Sequence, residues 1–320
     1  MNKLGIIFPG QGSQYVGMGR DLHGRFEEAR HVFEEAGDIL HIDMKELCFN
    51  GPQVVLDQTV NTQISILTVN VAAYRVYESE LGVRPFVMAG HSLGEYSALH
   101  AADAISFRDA LKLVHARAQH QQEAVPAGAG SMAAVMGISR EAIEAICREI
   151  TATTAGVVEP ATYNAPSQFV ISGDADAVEE AIRRAKAHGA KRAIMLPISV
   201  PCHSSLLDEA ARRFEEDMIS VTVKDCAVDV ISNHDPSLFF SRENTGSHLT
   251  KLINSPVRWQ ETAERMIAMG VDAVIETGPK RVLSGLMKRI SDSVRTANIE
   301  DGETLKKTRE VLNGYKTDYA

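Results

Sequence analysis

At 320 residues, with 44% hydrophobic and 23% charged side chains, the chain is long enough for one large domain plus a smaller lobe and too apolar to be disordered. Its formal net charge of −9 argues against non-specific binding to nucleic acid or to an anionic membrane. No apolar stretch is long enough to span a bilayer, and Cys48, Cys147, Cys202 and Cys226 have the spacing of neither a zinc site nor a redox pair, so a reduced, cytoplasmic protein without a metal is expected.

In chain order, residues 4–8 read as a short buried strand ended by Pro9-Gly10, and the turn Gly10-Gln11-Gly12-Ser13-Gln14 follows. Residues 26–40 and 63–81 carry helical periodicity. Residues 86–89 read as a strand, with a helix from Glu95 onward. Ser106 has the character of an N-cap, with Asp109 at the capping-box position, and starts a helix running towards Gln122. The pattern then changes. Residues 131–137 are strand-like and 139–150 helical. Residues 157–163 and 168–172 form two strands joined at Asn164-Ala165-Pro166, 174–188 are helical and closed by Gly189, and 192–197 are strand-like. This β-α-β-β-α-β order is the ferredoxin-like arrangement, which predicts a small inserted subdomain over 129–197.

Beyond it the alternation resumes, with strands at 228–232, 273–276 and 294–299 and helices at 260–269, 282–290 and 304–312. Strands alternating with helices predict a mainly parallel sheet covered on both faces. The expected fold class is α/β: a large α/β-hydrolase-like catalytic domain, discontinuous over 1–128 and 198–320, interrupted by the ferredoxin-like insertion. No internal repeat or low-complexity segment is present.

Gly90-His91-Ser92-Leu93-Gly94 matches the G-x-S-x-G elbow and sits between a predicted strand and a predicted helix, the context that motif requires. The turn is tight and holds its serine in a strained conformation, so small residues flank it. The following helix aims its N-terminal N–H groups and positive dipole end at the serine, which makes Leu93 N–H a candidate oxyanion donor. Ser92 needs a base, because a serine hydroxyl is a weak nucleophile at neutral pH. Of eleven histidines, His115 and His120 lie within a helical segment and His188 ends one; His91 adjoins Ser92 but points elsewhere at a sharp elbow. His203, in the loop Ile198-Ser199-Val200-Pro201-Cys202-His203-Ser204-Ser205, is the candidate base. The Gly10-Gln11-Gly12 loop after the first strand is either an ordinary strand-to-helix turn or the source of a second oxyanion N–H.

Taken together, Phe8-Pro9-Gly10-Gln11-Gly12-Ser13-Gln14, Gly90-His91-Ser92-Leu93-Gly94-Glu95, the Arg117 segment with Gln122-Glu123-Ala124-Val125-Pro126, Tyr163-Asn164-Ala165-Pro166 with Ile171-Ser172-Gly173, Pro201-Cys202-His203-Ser204 and Glu276-Thr277-Gly278-Pro279 span nearly the whole chain. In this order the sequence resembles the malonyl-CoA:acyl carrier protein transacylases, including the stand-alone acyltransferases of polyketide synthases. The resemblance implies Ser92 as nucleophile and His203 as its base, with the histidine oriented by a backbone carbonyl, by position that of Leu252, in place of a carboxylate. It implies an oxyanion hole made of the Gln11 and Leu93 N–H groups. It also implies that Arg117 binds the free carboxylate of a malonyl group, as a guanidinium does with two parallel charge-assisted hydrogen bonds. Two departures stand out: Cys202 where relatives often carry serine or phenylalanine, and Leu252 where they often carry glutamine.

The reaction so implied is ping-pong transfer of malonyl from malonyl-CoA, through a malonyl-serine ester, to the phosphopantetheine thiol of acyl carrier protein, for fatty acid or polyketide synthesis. Coenzyme A enters as the substrate thioester, with no bound cofactor, and a monomer is expected. Lys280, Arg281, Lys288 and Arg289 form a basic cluster that reads either as a docking patch for an acidic carrier protein or as a plain solvated helix face. The alternative activity is an acyl hydrolase on the same scaffold that clears stalled acyl groups. A lipase-like hydrolase and a non-catalytic scaffold fit the residues less well: the former places an acid between its serine and a late histidine, and the latter needs no Ser92, His203 and Arg117 together.

Overall fold

The computed structural model describes residues 2–126, 128–198 and 200–315. Among the described residues the strands, in chain order, are β1 (Leu4–Phe8), β2 (Val87–Gly90), β3 (Gly130–Met136), β4 (Val158–Ala165), β5 (Gln168–Asp174), β6 (Arg192–Met195), β7 (Val230–Ile231), β8 (Ala273–Thr277) and β9 (Arg295–Ile299). They form two sheets. One is five-stranded, all parallel, in the order β7-β2-β1-β8-β9; the other is four-stranded and antiparallel, in the order β4-β5-β3-β6.

The parallel sheet is built from short apolar runs buried on both faces, the usual condition of parallel strands. Along β1, Leu4, Ile6 and Phe8 join one core cluster, with Met88, Ile275 and Ile299, while Ile7 joins another on the opposite face, with Val87, Ala89 and Val274. Helix Thr59–Glu80 packs into the first cluster. Its residues are buried from Thr62 to Ala73 without a break, which explains why its apolar residues are not confined to one face. Strand β1 is central, flanked by β2 on one side and β8 on the other. The loops leaving the carboxyl ends of the neighbouring strands β1 and β2 therefore lie side by side at the carboxyl end of the sheet, the end at which open α/β sheets bind ligands.

The antiparallel sheet has the ferredoxin-like order expected from the sequence. Period-2 alternation gives it two unlike faces. Ala133, Val135, Phe169 and Ile171 pack under helices Arg140–Thr153 and Ala175–Ala187, whose Ile143, Ile146, Ile150, Val178 and Ala181 complete a separate core. Met132 and Val170 face the other way and pack against the core of the parallel-sheet unit. Backbone bonds join the two units: Tyr163 N–H donates to the Val257 carbonyl and Val257 N–H to the Ala161 carbonyl, both at 2.9 Å.

Sequence periodicity assigns no element to 204–227 or 233–259, yet helices Asp208–Met218 and Thr245–Asn254 lie there. The first buries only Ala210, Ala211 and Phe214 amid charged residues; the second buries Thr245, His248, Leu249, Leu252 and Ile253, whose helical spacing is masked by two polar members. The strand expected at 228–232 is reduced to Val230–Ile231. The Ser106 cap is present, with its hydroxyl accepting from Asp109 N–H at 3.0 Å. All four cysteines are unpaired thiols. Among the described residues no helix is long and apolar enough to cross a membrane.

Candidate active site

The turn after β2 is built by steric exclusion. A Cβ on Gly90 would stand 1.9 Å from the Gly94 carbonyl carbon, and one on Gly94 would stand 2.1 Å from the Phe8 carbonyl oxygen. Only glycine allows the strand, the turn and the helix Gly94–Ala101 to approach so closely. Ser92, between them, has φ +54°, in the left-handed region that side-chain-bearing residues avoid. His203 is also left-handed, at φ +64°. Strained backbone of this kind collects at functional sites.

Ser92 Oγ lies 2.8 Å from His203 Nε2. His203 Nδ1 lies 2.6 Å from the Leu252 carbonyl and 3.2 Å from that of Ser255. A carbonyl only accepts, so Nδ1 carries the imidazole proton and Nε2 is the acceptor facing Ser92 O–H. Leu252 is in the last turn of helix Thr245–Asn254, where carbonyls lack intrahelical partners and the dipole is negative, a setting that favours a transient imidazolium. Burial, reinforced by the Arg117 charge, pushes the His203 pKa down to about 3, so the ring is neutral at physiological pH.

Arg117, on helix Phe107–Ala124, is 3% exposed, and no carboxylate pairs with its guanidinium among the described residues. Its Nη2 donates to Ser92 Oγ at 3.2 Å; its Nη1 donates to Gln63 Oε1 at 2.5 Å and to Gln121 Oε1 at 3.3 Å. Gln63 Nε2 in turn donates to Gln121 Oε1 at 2.8 Å. The two glutamines thus hold the arginine by neutral groups, which leaves its charge unneutralised next to the serine. Burying a cation in this way is costly unless an anion arrives.

These groups open onto a cavity of about 150 Å³. Gln11, Ser92, Leu93, Arg117, Cys202 and His203 line one side of it; Met132, Thr162, Asn164, Gln168 and Val170 of the antiparallel sheet line the other. Among the described residues, neither the Gln11 nor the Leu93 backbone N–H donates to a protein acceptor, while the Gln11 side chain turns its Nε2 to Thr59 Oγ1. Burial pushes the Cys202 thiol pKa up to about 11, so it forms part of the wall as a small neutral group. Val282, Leu283 and Leu286 contribute a third wall, and Glu276 fixes it by accepting from Leu283 N–H at 3.0 Å and Ser284 N–H at 2.7 Å. Gly278 completes this corner: a Cβ there would stand 2.0 Å from Asn70 Oδ1. No group of metal-ligating side chains occurs among the described residues.

The structure therefore brings Ser92, His203, Arg117, Gln11, Leu93 and Leu252 to one cleft. Sequence reasoning missed Gln63, Gln121, Ser255 and Asn233, whose Oδ1 accepts from Ser92 N–H at 2.9 Å; Asn164, read from the sequence as part of a turn and of a motif, lies instead within β4 and meets His91 Nε2 at 2.8 Å. Gln121 carried one usable signal, since it lies one helical turn after Arg117. The others are brought in by distant segments.

Residues 6–311 match the model of the acyl transferase domain family. The chain is 41% identical over 312 residues to the malonyl CoA-acyl carrier protein transacylase of Bacillus subtilis, covering 98% of each, and 40% identical over 301 residues to that of Escherichia coli K12, covering 94% of this chain and 97% of the relative. Among solved structures it is similar to the malonyl CoA-acyl carrier protein transacylase of Coxiella burnetii, with a TM-score of 0.94 at 39% identity over 97% of this chain and 98% of the other. It is equally similar, at a TM-score of 0.94 and 39% identity over 97% of this chain and all of the other, to a malonyl-transacylase solved in complex with a type II polyketide synthase acyl-carrier protein. Matches of this extent make the chain a member of the malonyl CoA-acyl carrier protein transacylase family.

Proposed function

We propose that the protein transfers malonyl from malonyl-CoA to the phosphopantetheine thiol of an acyl carrier protein through a malonyl ester on Ser92. The observation that carries this reading is the buried, carboxylate-free Arg117 guanidinium 3.2 Å from Ser92 Oγ, a cation matched to an acyl group that bears its own carboxylate.

His203 Nε2 takes the Ser92 proton as Oγ attacks the thioester carbonyl carbon. The Gln11 and Leu93 amides hold the oxyanion, the C–S bond breaks, and His203 returns its proton to the coenzyme A thiolate. In the second half the pantetheine thiol gives its proton to His203, its sulfur attacks the ester carbonyl, and Ser92 Oγ leaves with that proton. The carbonyls of Leu252 and Ser255 keep the ring in the required tautomer throughout. The malonyl carboxylate also acts on the base. By pairing with Arg117 it offsets one of the causes that hold His203 neutral, so the imidazole becomes a better proton acceptor once the correct acyl group is in place.

The hydrolase alternative finds no support: the relatives named above are transacylases, and a general acyl hydrolase has no use for a buried carboxylate clamp. Residues 1–128 and 198–320 act as the catalytic domain and 129–197 as the inserted subdomain, in a monomer working in the cytoplasm without a bound cofactor. Of the basic cluster, Lys280 turns its Nζ onto the Gln14 carbonyl at 3.0 Å and Arg289 donates to Gln168, whereas Arg281 and Lys288 line a groove with Lys307. These three are the cations an acidic carrier protein would meet beside the cleft.

The test is mass spectrometry of the protein mixed with malonyl-CoA, then with holo acyl carrier protein. A malonyl adduct on the Ser92 peptide that chases onto the carrier thiol is the expected result. Malonate released to water at the rate of adduct decay, with no carrier loading, would reject it.

A further inference from the structure

Ser92 keeps a left-handed backbone, and such strain persists only where the surroundings over-determine it. Within the turn, Gly94 N–H donates to the His91 carbonyl and Glu95 N–H to the Ser92 carbonyl, and His91 N–H donates to the Phe8 carbonyl of the adjacent strand β1; all three acceptors are backbone. The amide of the nucleophile goes to the other neighbour of β2, to Oδ1 of Asn233 just beyond β7, at 2.9 Å, and its partner is a side chain.

Asn233 is completely buried, and all its polar atoms are engaged. Its N–H donates to Glu95 Oε1 at 2.5 Å, its Nδ2 donates to Thr262 Oγ1 at 3.3 Å, and its carbonyl accepts from Arg258 N–H at 3.2 Å. The Ser92 N–H can only donate, so the amide turns its oxygen to Ser92, and its nitrogen faces the Thr262 hydroxyl, which gives its own proton to the Arg258 carbonyl and therefore accepts here. Glu95 is the second anchor. It is fully buried on the helix that the elbow starts, and its Oε2 has no protein partner among the described residues. Burial pushes its pKa up to about 8, so at neutral pH the anchor is mostly an uncharged carboxyl that does not compete with a substrate carboxylate for Arg117.

We propose that Asn233 is a positioning residue for acyl transfer: its side-chain oxygen fixes the Ser92 peptide plane, and with it the direction of Oγ, while Glu95 and Thr262 fix Asn233. The bond also divides the amides of the elbow. The Ser92 N–H is consumed by structure, and the Leu93 N–H stays available to the oxyanion. The proposal rests on Ser92 being the nucleophile.

The experiment is single-turnover malonyl-enzyme formation, with kcat and KM for malonyl-CoA, in the parent, Asn233→Ala and Thr262→Val. Malonylation of Ser92 in the parent establishes the underlying reading independently. Asn233→Ala is expected to slow acylation about thirtyfold with KM within about twofold, because the acyl pocket and Arg117 are untouched. Thr262→Val, close to isosteric and so safe for folding, is expected to slow it about threefold with the same KM. Acylation rates within twofold of the parent in both variants, or losses carried by KM, would overturn the proposal while leaving Ser92 in its role. Should Asn233→Ala fail to fold, the Thr262→Val kcat-to-KM split decides alone.

Discussion

Around Ser92 Oγ, every group able to exchange a proton, carry charge or stabilise an oxyanion hangs from the parallel-sheet unit: Ser92 and Leu93 after β2, Gln11 after β1, Arg117 on helix Phe107–Ala124 and His203 in the 198–205 loop. The antiparallel sheet faces the same cavity with Met132, Thr162, Asn164, Gln168 and Val170, none of them ionisable. Strand geometry accounts for part of this division. A sheet with helices on one face offers alternate side chains in a flat row on the other, which suits a wall. Loops at the carboxyl ends of parallel strands converge, which suits a reacting centre. One cleft thus joins a chemical half and a shaping half.

Substitutions can break or sharpen this contrast. Ser92→Ala should reduce malonyl transfer on the order of 10⁴-fold or more and abolish the adduct in intact-mass spectra. Arg117→Ala should lower kcat/KM for malonyl-CoA roughly a hundredfold, with far less loss for acetyl-CoA, as measured by transfer to the same carrier protein. Equal losses for both thioesters would make Arg117 part of the general machinery and not a selector. On the shaping side, Val170→Ala should raise KM about threefold with kcat unchanged. A larger fall in kcat than rise in KM would erase the division between halves.

The smallest effect concerns stability. Glu95 has a folded pKa of about 8, above the ordinary carboxylate value, so the folded state binds the extra proton. That contribution is fully present below the unfolded pKa and is lost as pH rises towards 8. Replacing the acid by Gln removes the loss. Glu95→Gln should therefore raise Tm relative to the parent by about 2 °C or more at pH 8.5 than at pH 5.5 in calorimetry.

How much of this was legible in the sequence follows from what each residue needs. The elbow was legible because its constraint is steric and local: Gly90 and Gly94 are required by contacts among neighbours and with one strand. The two-sheet architecture was legible because apolar period and turn residues recur at strand and helix spacing. His203 and Arg117 emerged from a loop position and a motif order, not from periodicity. Asn233, Gln63 and Ser255 stayed hidden because nothing near them in the chain differs from an ordinary buried amide or loop serine. Asn233 and Ser255 belong to 230–259, where the short strand β7 and the half-polar helix Thr245–Asn254 left weak patterns.

The imidazole of His203 leans on carbonyls at the end of a helix and not on a carboxylate side chain. Such a support cannot be deleted by one substitution, and it has no proton to gain in acid. It fails by fraying. The last turn of helix Thr245–Asn254 is therefore where heat should reach function first: activity should decline on warming as that turn loosens, at temperatures where the two cores still hold and bulk probes of folding register no change.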